Sequence, residues 1–212
     1  MWRFLVYQRM KIFCMAANYR KHGEEIGLVP QENPSLFLKP ETSLLRNHYD
    51  FYIPDFSSRV EYETEIVVKI GKMGKAIDKR FASRYYDEIT VGLDITARDL
   101  QNDFRSKGLP WFLSKGFDQS APIGDFVPKT DFESLNNLNF CLKCNGNVVQ
   151  SGNTADMIFG IDDIIAYISQ FVTLKVGDLI FTGTPVGVGP LHIGDHLCGE
   201  IEGRTLLEIK VK

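Results

Sequence analysis

The chain has 212 residues, of which 44% are hydrophobic and 24% charged, and its formal net charge is -3 at pH 7. These values are typical of a globular protein, and they exclude the basic surface that binding to nucleic-acid phosphates requires. The apolar runs at 164–172 and 179–181 are far shorter than the roughly 20 residues of a membrane-spanning helix. We therefore expect a cytoplasmic protein that binds neither nucleic acid nor membrane.

Three segments can be distinguished along the chain. Residues 1–9 hold one short apolar stretch, and Met10 opens a strand-like run, so we expect 1–9 to be a dispensable extension or a misassigned start. Residues 10–45 are rich in loop signals and predict an N-terminal strand and a lid segment. Residues 46–212 carry most strand signals and predict the catalytic domain.

Helices are predicted between the strands of the first half. Residues 81–89 predict a short helix. A longer helix is predicted from Thr96, with Asp99 three residues later in a capping-box arrangement and a stop at 107–110. Residues 111–117 predict one further turn.

The second half combines one helix with many short strands. Residues 161–172 have an acidic first turn and apolar residues at helical spacing, which predicts an amphipathic helix. After residue 175, closely spaced glycines predict short strands joined by tight turns. The chain is therefore predicted to be mainly β with inserted helices, an α+β fold with a mostly antiparallel core.

An acidic strand is the first candidate site. Side chains alternate along a strand, so Glu61, Glu63 and Glu65 would share one face of the segment 60–68. Two such carboxylates about 4 Å apart repel by roughly 4 kcal/mol at an effective dielectric of about 20. A hard cation such as Mg²⁺ would remove this repulsion. A solvated strand face explains these residues equally well.

A carboxylate that follows the next strand strengthens the metal interpretation. Asp94 ends the predicted strand 91–95, beside the start of a helix whose N-H groups favour anions. Arg98 and Gln101 are three apart on that helix and could complete a site for a carboxylate or an enolate. The alternative for both is a solvated helix surface.

Further candidates lie elsewhere in the chain. His22 and Glu25 have the spacing of one helical turn, so Glu25 could orient a general base on a lid, although a surface loop is the alternative. Lys115 follows apolar residues and could neutralise developing negative charge. Thr184 lies in a glycine-rich turn, 182–189, that lacks the ending of a phosphate loop.

Two motifs that resemble zinc sites are interpreted as structural. The four cysteines are expected to be reduced, since they lack the density of a secreted disulfide scaffold. Cys141 and Cys144 lie in an alternating segment, where residues three apart point to opposite faces. His192 and His196 have helical spacing, but the intervening glycine favours a turn.

In this order, the motifs resemble the fumarylacetoacetate hydrolase family over about residues 10–212. The matching stretches are Asn18-Tyr19 with His22 and Glu25, 37–40, 63–65 with 71–72, 93–99, 107–111 with Lys115, and 182–189. The resemblance implies a mixed β-sandwich roll that forms a homodimer. It is strongest to the acylpyruvase and oxaloacetate decarboxylase branch.

The resemblance also implies roles for individual residues. It implies Mg²⁺ or Mn²⁺ bound by Glu63, Glu65 and Asp94, with Glu61 outside the ligand set. It places Lys115 beside the metal and gives the His22–Glu25 pair the activation of water. The expected substrate-binding residues are Tyr19, Lys39, Arg98, Gln101 and Thr184.

The implied reaction is cleavage of a C–C bond in a 2-oxo or 2,4-dioxo acid through a metal-stabilised enolate. Acylpyruvates, fumarylpyruvate and oxaloacetate are the expected substrates. A 2-hydroxyhepta-2,4-diene-1,7-dioate isomerase or hydratase is one alternative, and a weakly active module that binds metal and 2-oxo acid is another. A purely structural β protein is a third. The chain departs from the family at Ala17, where many relatives carry an arginine, and this affects the expected substrate.

Overall fold

The computed structural model describes residues 10–25, 27 and 32–212, so the prediction for residues 1–9 lies outside the described part. The described strands are β1 (Ile12–Ala16), β2 (Ser35–Lys39), β3 (Leu44–Arg46), β4 (Val60–Tyr62), β5 (Thr64–Ile70), β6 (Tyr86–Leu93), β7 (Thr96–Ala97), β8 (Ala121–Ile123), β9 (Val127–Pro128), β10 (Asn139–Cys144), β11 (Asn147–Asn153), β12 (Leu179–Phe181), β13 (Gly189–Pro190), β14 (His196–Ile201) and β15 (Arg204–Lys210). The α-helices are α1 (Arg20–Glu25), α2 (Lys79–Ala82), α3 (Arg98–Ser106), α4 (Phe112–Lys115) and α5 (Ile161–Phe171).

The strands form three sheets. The largest has eight strands in the order β2-β1-β12-β5-β6-β8-β3, with β9 also paired to β6. It is mixed, because β1 runs parallel to β12 and β3 runs parallel to β8. An antiparallel sheet has the order β11-β10-β14-β15, and a small sheet has the order β13-β4-β7. The predicted mainly β fold with inserted helices is confirmed, with a curled mixed sheet at its centre.

The two larger sheets pack face to face around β6. A Cβ atom on Gly199 of β14 would lie 2.9 Å from the side chain of Val91 on β6, so the strands approach closely there. The apolar face of α5, with Ile164 and Ile165 fully buried, covers another part of the same core. Because both faces of β5 and β6 are covered, six of the seven residues of β5 and the last five residues of β6 are buried.

The N-terminal segment belongs to the largest sheet. β1 lies between β2 and β12, and it pairs with β12 over Ile12–Cys14. α1 follows β1 directly, so the helix with His22 is attached to the central sheet at one end. In the part of the chain that the structure describes, no helix is long and apolar enough to cross a membrane.

Two predicted helices were wrong in extent. The helix predicted at 81–89 is confined to α2, and β6 begins at Tyr86, because its β-branched and aromatic residues pair along β5. The helix predicted from Thr96 begins at Arg98, because Thr96 and Ala97 pair with β4. Asp99 does not cap the helix. Its carboxylate accepts hydrogen bonds from Ser57, Ser58 and the main chain of Leu100.

Other element predictions are confirmed. The helix predicted at 161–172 is α5, the predicted turn after Trp111 is α4, and Gly108 has a φ of +66° at the stop after α3. After residue 175, short strands alternate with turns. The four cysteines are free.

Candidate active site

The site lies where β5 and β6 meet. The backbone N-H of Asp94, just after β6, donates to the carbonyl of Glu63 at 2.8 Å, and Glu65 is the register partner of Gly92. This pairing brings Glu63, Glu65 and Asp94 together. Each offers one carboxylate oxygen, and these oxygens lie within 4.8 Å of one another. All three residues are buried, with 5% or less of their surface exposed.

Glu63 is held by two cations. Lys115 Nζ lies 2.9 Å from Glu63 Oε2, and an Arg98 guanidinium nitrogen lies 2.5 Å from Glu63 Oε1. Burial would raise the pKa of Glu63, but the positive charges of Lys115 and Arg98 outweigh it and hold the pKa well below its usual range. Glu63 is therefore a fixed anion.

Glu65 is left with an unpaired oxygen. Its Oε2 accepts a hydrogen bond of 2.6 Å from the Gly183 backbone, while Oε1 is buried and accepts none from the residues that the structure describes. Burial, and then the charge of Asp94, raise the pKa of Glu65 well above its usual range. Gly183 has a φ of +98°, and a Cβ there would lie 2.6 Å from Asn18, so this contact requires glycine.

Asp94 lies between two lysines. Lys115 Nζ contacts Oδ2 at 2.6 Å and Lys39 Nζ contacts Oδ1 at 2.8 Å. The Lys39 contact is ionic, because Asp94 Oδ1 accepts no well-directed hydrogen bond from a described residue. Lys39 instead donates to main-chain oxygens of Ile95, Lys115 and Ser120.

Glu61 is turned away from the other carboxylates. The chain leaves one sheet and enters another at Glu63, between β4 and β5, so the three glutamates do not share one continuous strand face as the alternation predicted. Glu61 accepts from Arg98 Nε and Arg59 Nε, each at 2.6 Å. It is absent from the group of converging ligand atoms.

The buried charges do not balance. Among the described residues of the site, four carboxylates, those of Glu61, Glu63, Glu65 and Asp94, lie among three buried cations, those of Arg98, Lys39 and Lys115. A fourth cation, Arg59, is 60% exposed and is screened by solvent. The excess negative charge is on the side of Glu65, since its carboxylate forms no described ion pair.

The predicted base lies on the opposite wall. His22 on α1 is 2% exposed, and its Nδ1 lies 3.0 Å from Glu25 Oε2. Glu25 Oε1 accepts from the Gly187 backbone at 3.3 Å, so the glycine-rich turn holds the carboxylate in place. His22 lines a small cavity together with Glu63 and Lys115. The surface-loop alternative for His22 is therefore wrong.

The expected substrate-binding residues occupy different places. Gln101 and Thr184 line the cavity beside His22. Arg98 is bound to Glu61, Glu63 and Gln101, and Lys39 is surrounded by Asp94 and main-chain oxygens, so both are placed to position carboxylates. The Tyr19 hydroxyl is buried without a hydrogen-bond partner among the described residues, and burial, followed by the nearby charge of Glu65, raises its pKa.

Several residues of the site were not found from the sequence. Gln150 on β11 accepts from the Thr64 backbone at 2.9 Å and donates to Thr184 Oγ1 at 2.8 Å, which ties the antiparallel sheet to the site. No local pattern in the sequence distinguishes this glutamine. Apolar cavity residues, Met15, Phe37 and Trp111, come from separate elements that no local pattern connects. Ala17 also lines the cavity and has a φ of +53°.

The residues present fit a divalent hard cation. They are all-oxygen ligands, buried and fixed on or directly beside two paired strands, and the Glu65 Oε1 atom has no other partner in the described part of the chain. Carboxylate oxygens are the ligands that Mg²⁺ and Mn²⁺ prefer. An unpaired buried charge is costly, so an ion here would remove an unfavourable contribution to folding.

The comparison with family models decides the classification. The model described as fumarylacetoacetate (FAA) hydrolase C-terminal matches residues 11–212. The chain belongs to the fumarylacetoacetate hydrolase family. The resemblance found in the sequence motifs is thereby confirmed.

Relatives within the fumarylacetoacetate hydrolase family carry related names. An oxaloacetate tautomerase of Escherichia coli is 40% identical, with 95% of this chain and 93% of the relative covered. A mitochondrial oxaloacetate decarboxylase of Dictyostelium discoideum is 42% identical over 89% of this chain and 88% of its own. A fumarylpyruvate hydrolase of Pseudomonas aeruginosa, solved with Mn²⁺ and pyruvate, is 34% identical with a TM-score of 0.90, over 96% of this chain and 89% of its own.

Proposed function

We propose that the protein is a Mg²⁺- or Mn²⁺-dependent enzyme that stabilises the enolate of a 2-oxo acid, with tautomerisation of oxaloacetate as the first candidate reaction. The observation that carries this proposal is the convergence of Glu63, Glu65 and Asp94, one of them unpaired, beside the ammonium of Lys115. The names of the three relatives support it. Tautomerisation, decarboxylation and C–C hydrolysis of such acids all develop negative charge on the same 2-oxo group.

Glu63, Glu65 and Asp94 would hold the metal. The chemistry that a bound ion supplies is polarisation of a chelated 2-oxo acid, which makes the protons on the neighbouring carbon more acidic. With Glu61, Glu63, Glu65 and Asp94 all ionised against the three buried cations, a divalent ion would leave the site positive by one unit. This balance favours an anionic substrate.

Lys115 would stabilise the developing oxyanion. Its ammonium is bound to both Glu63 and Asp94, which fixes it in the cavity wall before substrate arrives. Burial would lower the pKa of Lys115, but the charges of Asp94 and Glu63 outweigh it and raise the pKa, so the residue is an ammonium ion at neutral pH. A fixed charge of this kind needs no reorganisation during the reaction.

His22 would move the proton. Glu25 engages Nδ1, which leaves Nε2 to take a proton from the carbon next to the 2-oxo group. In tautomerisation that carbon loses the proton and the oxygen gains one, so the molecular formula does not change. General base catalysis of this kind contributes roughly 10² to 10⁴ in rate.

Hydrolysis of an acylpyruvate is the second candidate, and the same histidine supports it. His22 would deprotonate a water that attacks the distal carbonyl, and the bond between that carbonyl and its neighbouring carbon would break to release pyruvate enolate. Decarboxylation needs no attacking water. Loss of the imidazole would therefore spare decarboxylation while reducing both other reactions.

The decisive experiment compares three assays on wild type and His22→Ala, each with Mg²⁺ and with chelator. The assays follow the disappearance of oxaloacetate enol, carbon dioxide release from oxaloacetate, and pyruvate release from acylpyruvates. We expect metal-dependent tautomerisation that falls by roughly 10² to 10⁴ in His22→Ala. Wild-type turnover undiminished in chelator would overturn the proposal.

Two other outcomes separate the alternatives. Conversion of a 2-hydroxy-dienoate with all carbons conserved would favour the isomerase, whereas addition of water would favour the hydratase. Calorimetric binding of 2-oxo acids without turnover would favour a binding module. A melting temperature that does not respond to Mg²⁺ would favour a structural protein, because an ion that binds the native state stabilises it by mass action.

The family likeness also predicts a homodimer. Sedimentation velocity at micromolar concentration tests this directly. A single species of about twice the 24.1 kDa chain mass is expected, and a monomer would contradict it.

A further inference from the structure

A second cluster of possible ligands lies on the outer face of the antiparallel sheet, away from the carboxylate site. It consists of His196 and Cys198 on β14 and Glu208 on β15. We propose that this strand-surface cluster binds Zn²⁺ or a similar transition-metal ion and holds the two C-terminal strands together. The proposal does not depend on the enzymatic function.

The sheet register brings the three residues together. His196 and Cys198 are two apart on β14, so they point to the same face, while Leu197 between them points into the core. Glu208 is the direct register partner of Cys198 on β15. The register shift in this strand pair occurs after Gly199, beyond the three residues. Their relative positions are therefore fixed by regular sheet geometry.

The distances suit a small ion. One potential ligand atom from each residue lies within 4.8 Å of the others, and His196 Nε2 is 3.0 Å from Glu208 Oε1. Zinc bonds of about 2.0–2.3 Å to nitrogen, oxygen and sulfur place tetrahedral ligands roughly 3.3–3.8 Å apart. Side-chain rotations that close the cluster by about 1 Å would suffice. A water molecule would complete four-coordination.

The ligand types favour a transition metal over Mg²⁺. A thiolate and an imidazole are the ligands that select zinc and its neighbours, whereas hard ions take oxygen ligands. On binding, the thiol proton would leave to solvent, and the thiolate and carboxylate would balance the two positive charges of the ion. The two metal sites of the protein would therefore differ in the ions they prefer.

The backbone around the cluster is well supported. The His196 N-H donates to the Asn145 side chain at 2.9 Å, and the Asn145 N-H donates to the His196 carbonyl. Neighbouring charge is partly neutralised, because Lys143, opposite Cys198 on β10, is bound to Glu200 at 2.6 Å. His196 and Glu208 are 39% and 48% exposed at the side chain, so an ion can enter from solvent.

Co²⁺ is the appropriate probe, because cobalt bound to a thiolate gives a sulfur-to-metal charge-transfer absorption that oxygen ligands do not give. The reduced full-length protein would be titrated with Co²⁺ and then with Zn²⁺. We expect the absorption to appear with one Co²⁺ per chain and to disappear when Zn²⁺ displaces it. It should also appear in Glu65→Gln, whose active-site ligand set is disrupted.

Variants test the ligand set. The absorption should be lost in Cys198→Ser and His196→Ala, and Co²⁺ affinity should fall at least tenfold in Glu208→Gln. Cys141→Ser is the matched control, since Cys141 lies on neighbouring β10 but outside the cluster, and it should keep the absorption. Circular dichroism confirms that each variant is folded.

Three results would overturn the proposal. The first is absence of the charge-transfer absorption in wild type at saturating Co²⁺. The second is an absorption that survives in folded Cys198→Ser. The third is an absorption that depends equally on Cys141, which would place the ion elsewhere on the sheet. If Cys198→Ser does not fold, protection of the Cys198 thiol from alkylation by Zn²⁺ in wild type decides the question, and unchanged alkylation refutes the site.

Discussion

At one end of the buried carboxylate row, Glu61 and Glu63 share the guanidinium of Arg98, whereas at the other end Glu65 faces Asp94 with one oxygen unpaired. Both ends are buried. Glu61 lies on β4 and Glu65 on β5, while Glu63 lies between these strands and Asp94 just after β6. The first end is neutralised by the protein itself. The charge of the second end is balanced only when a cation is bound. This difference predicts that an ion binds beside Glu65.

The largest expected effect comes from removing the unpaired carboxylate. Glu65→Gln should lose the stabilisation by Mg²⁺ and reduce turnover to near background, because it removes a ligand without changing side-chain size. In chelator, the melting temperature should equal or exceed that of wild type, because a buried unpaired charge is lost. Thermal denaturation with and without Mg²⁺ measures this. A strongly destabilised variant in chelator would contradict the account.

Removing Arg98, the cation that Glu61 and Glu63 share, should instead destabilise the protein in chelator. Arg98→Met leaves Glu61 and Glu63 without their buried partner and should lower the free energy of unfolding by about 3–5 kcal/mol. Urea denaturation in chelator measures the loss.

The matched control for Arg98→Met is Arg59→Met, which removes the exposed partner of the same Glu61. We expect its cost to be below about 1 kcal/mol, because solvent screens an exposed ion pair. Equal costs for the two variants would show that burial does not distinguish the two arginines.

The contribution of the His22–Glu25 pair to proton transfer can be measured separately from metal binding by the carboxylates. Glu25→Gln removes the anion beside His22 Nδ1 and should reduce tautomerisation roughly tenfold or more, since the imidazole loses the contact that orients it. The dissociation constant for Mn²⁺ should stay unchanged. Glu24→Gln is the control, because Glu24 is exposed and neighbours the dyad. A comparable loss in both variants would argue against the dyad.

When metal is absent, the contributions of Glu65 and Glu63 to folding stability should change in opposite directions with pH. The pKa of Glu65 is raised in the folded protein, so its contribution to stability is present below the unfolded pKa of about 4.3 and is lost as pH rises through the folded pKa. The pKa of Glu63 is lowered, so its contribution is present above about 4.3 and is lost as pH falls through the folded pKa.

This pH dependence gives the smallest expected effect. In chelator, the stability of wild type relative to Glu65→Gln should decline as pH rises from about 5, by no more than about 1.4 kcal/mol per pH unit. Denaturant titrations at several pH values measure the difference. A difference that is independent of pH up to about pH 8 would show that Glu65 is not the group with the raised pKa.

Strand patterning drew attention to the carboxylates of the candidate site but left a solvated strand face equally possible, and the resemblance to the family implied the ligand set. Glu63, Glu65 and Asp94 lie at the ends of two neighbouring strands, and the structure brings them together. Alternation alone could not assign Glu61, since the chain changes sheets at Glu63. Arg98 was expected to contact substrate. Its ion pairs with Glu61 and Glu63 arise from the same change of sheet, which the sequence does not reveal.

Other features depend on tertiary pairing that no local pattern contains. The helix predicted at 81–89 failed because pairing with β5 stabilises β6 from Tyr86. Gln150 reaches Thr64 and Thr184 across two sheets. Likewise, helical spacing called attention to His192 and His196, whereas the structure groups His196 with Cys198 and Glu208 through strand register.

The central claim is that a divalent ion binds at the uncompensated end of the carboxylate row. Anomalous diffraction from crystals soaked in Mn²⁺ tests it most directly. The account predicts a peak within coordination distance of Glu65 Oε1, bound also by Glu63 and Asp94. A peak beside Glu61, or no peak among the three carboxylates at saturating Mn²⁺, would contradict it.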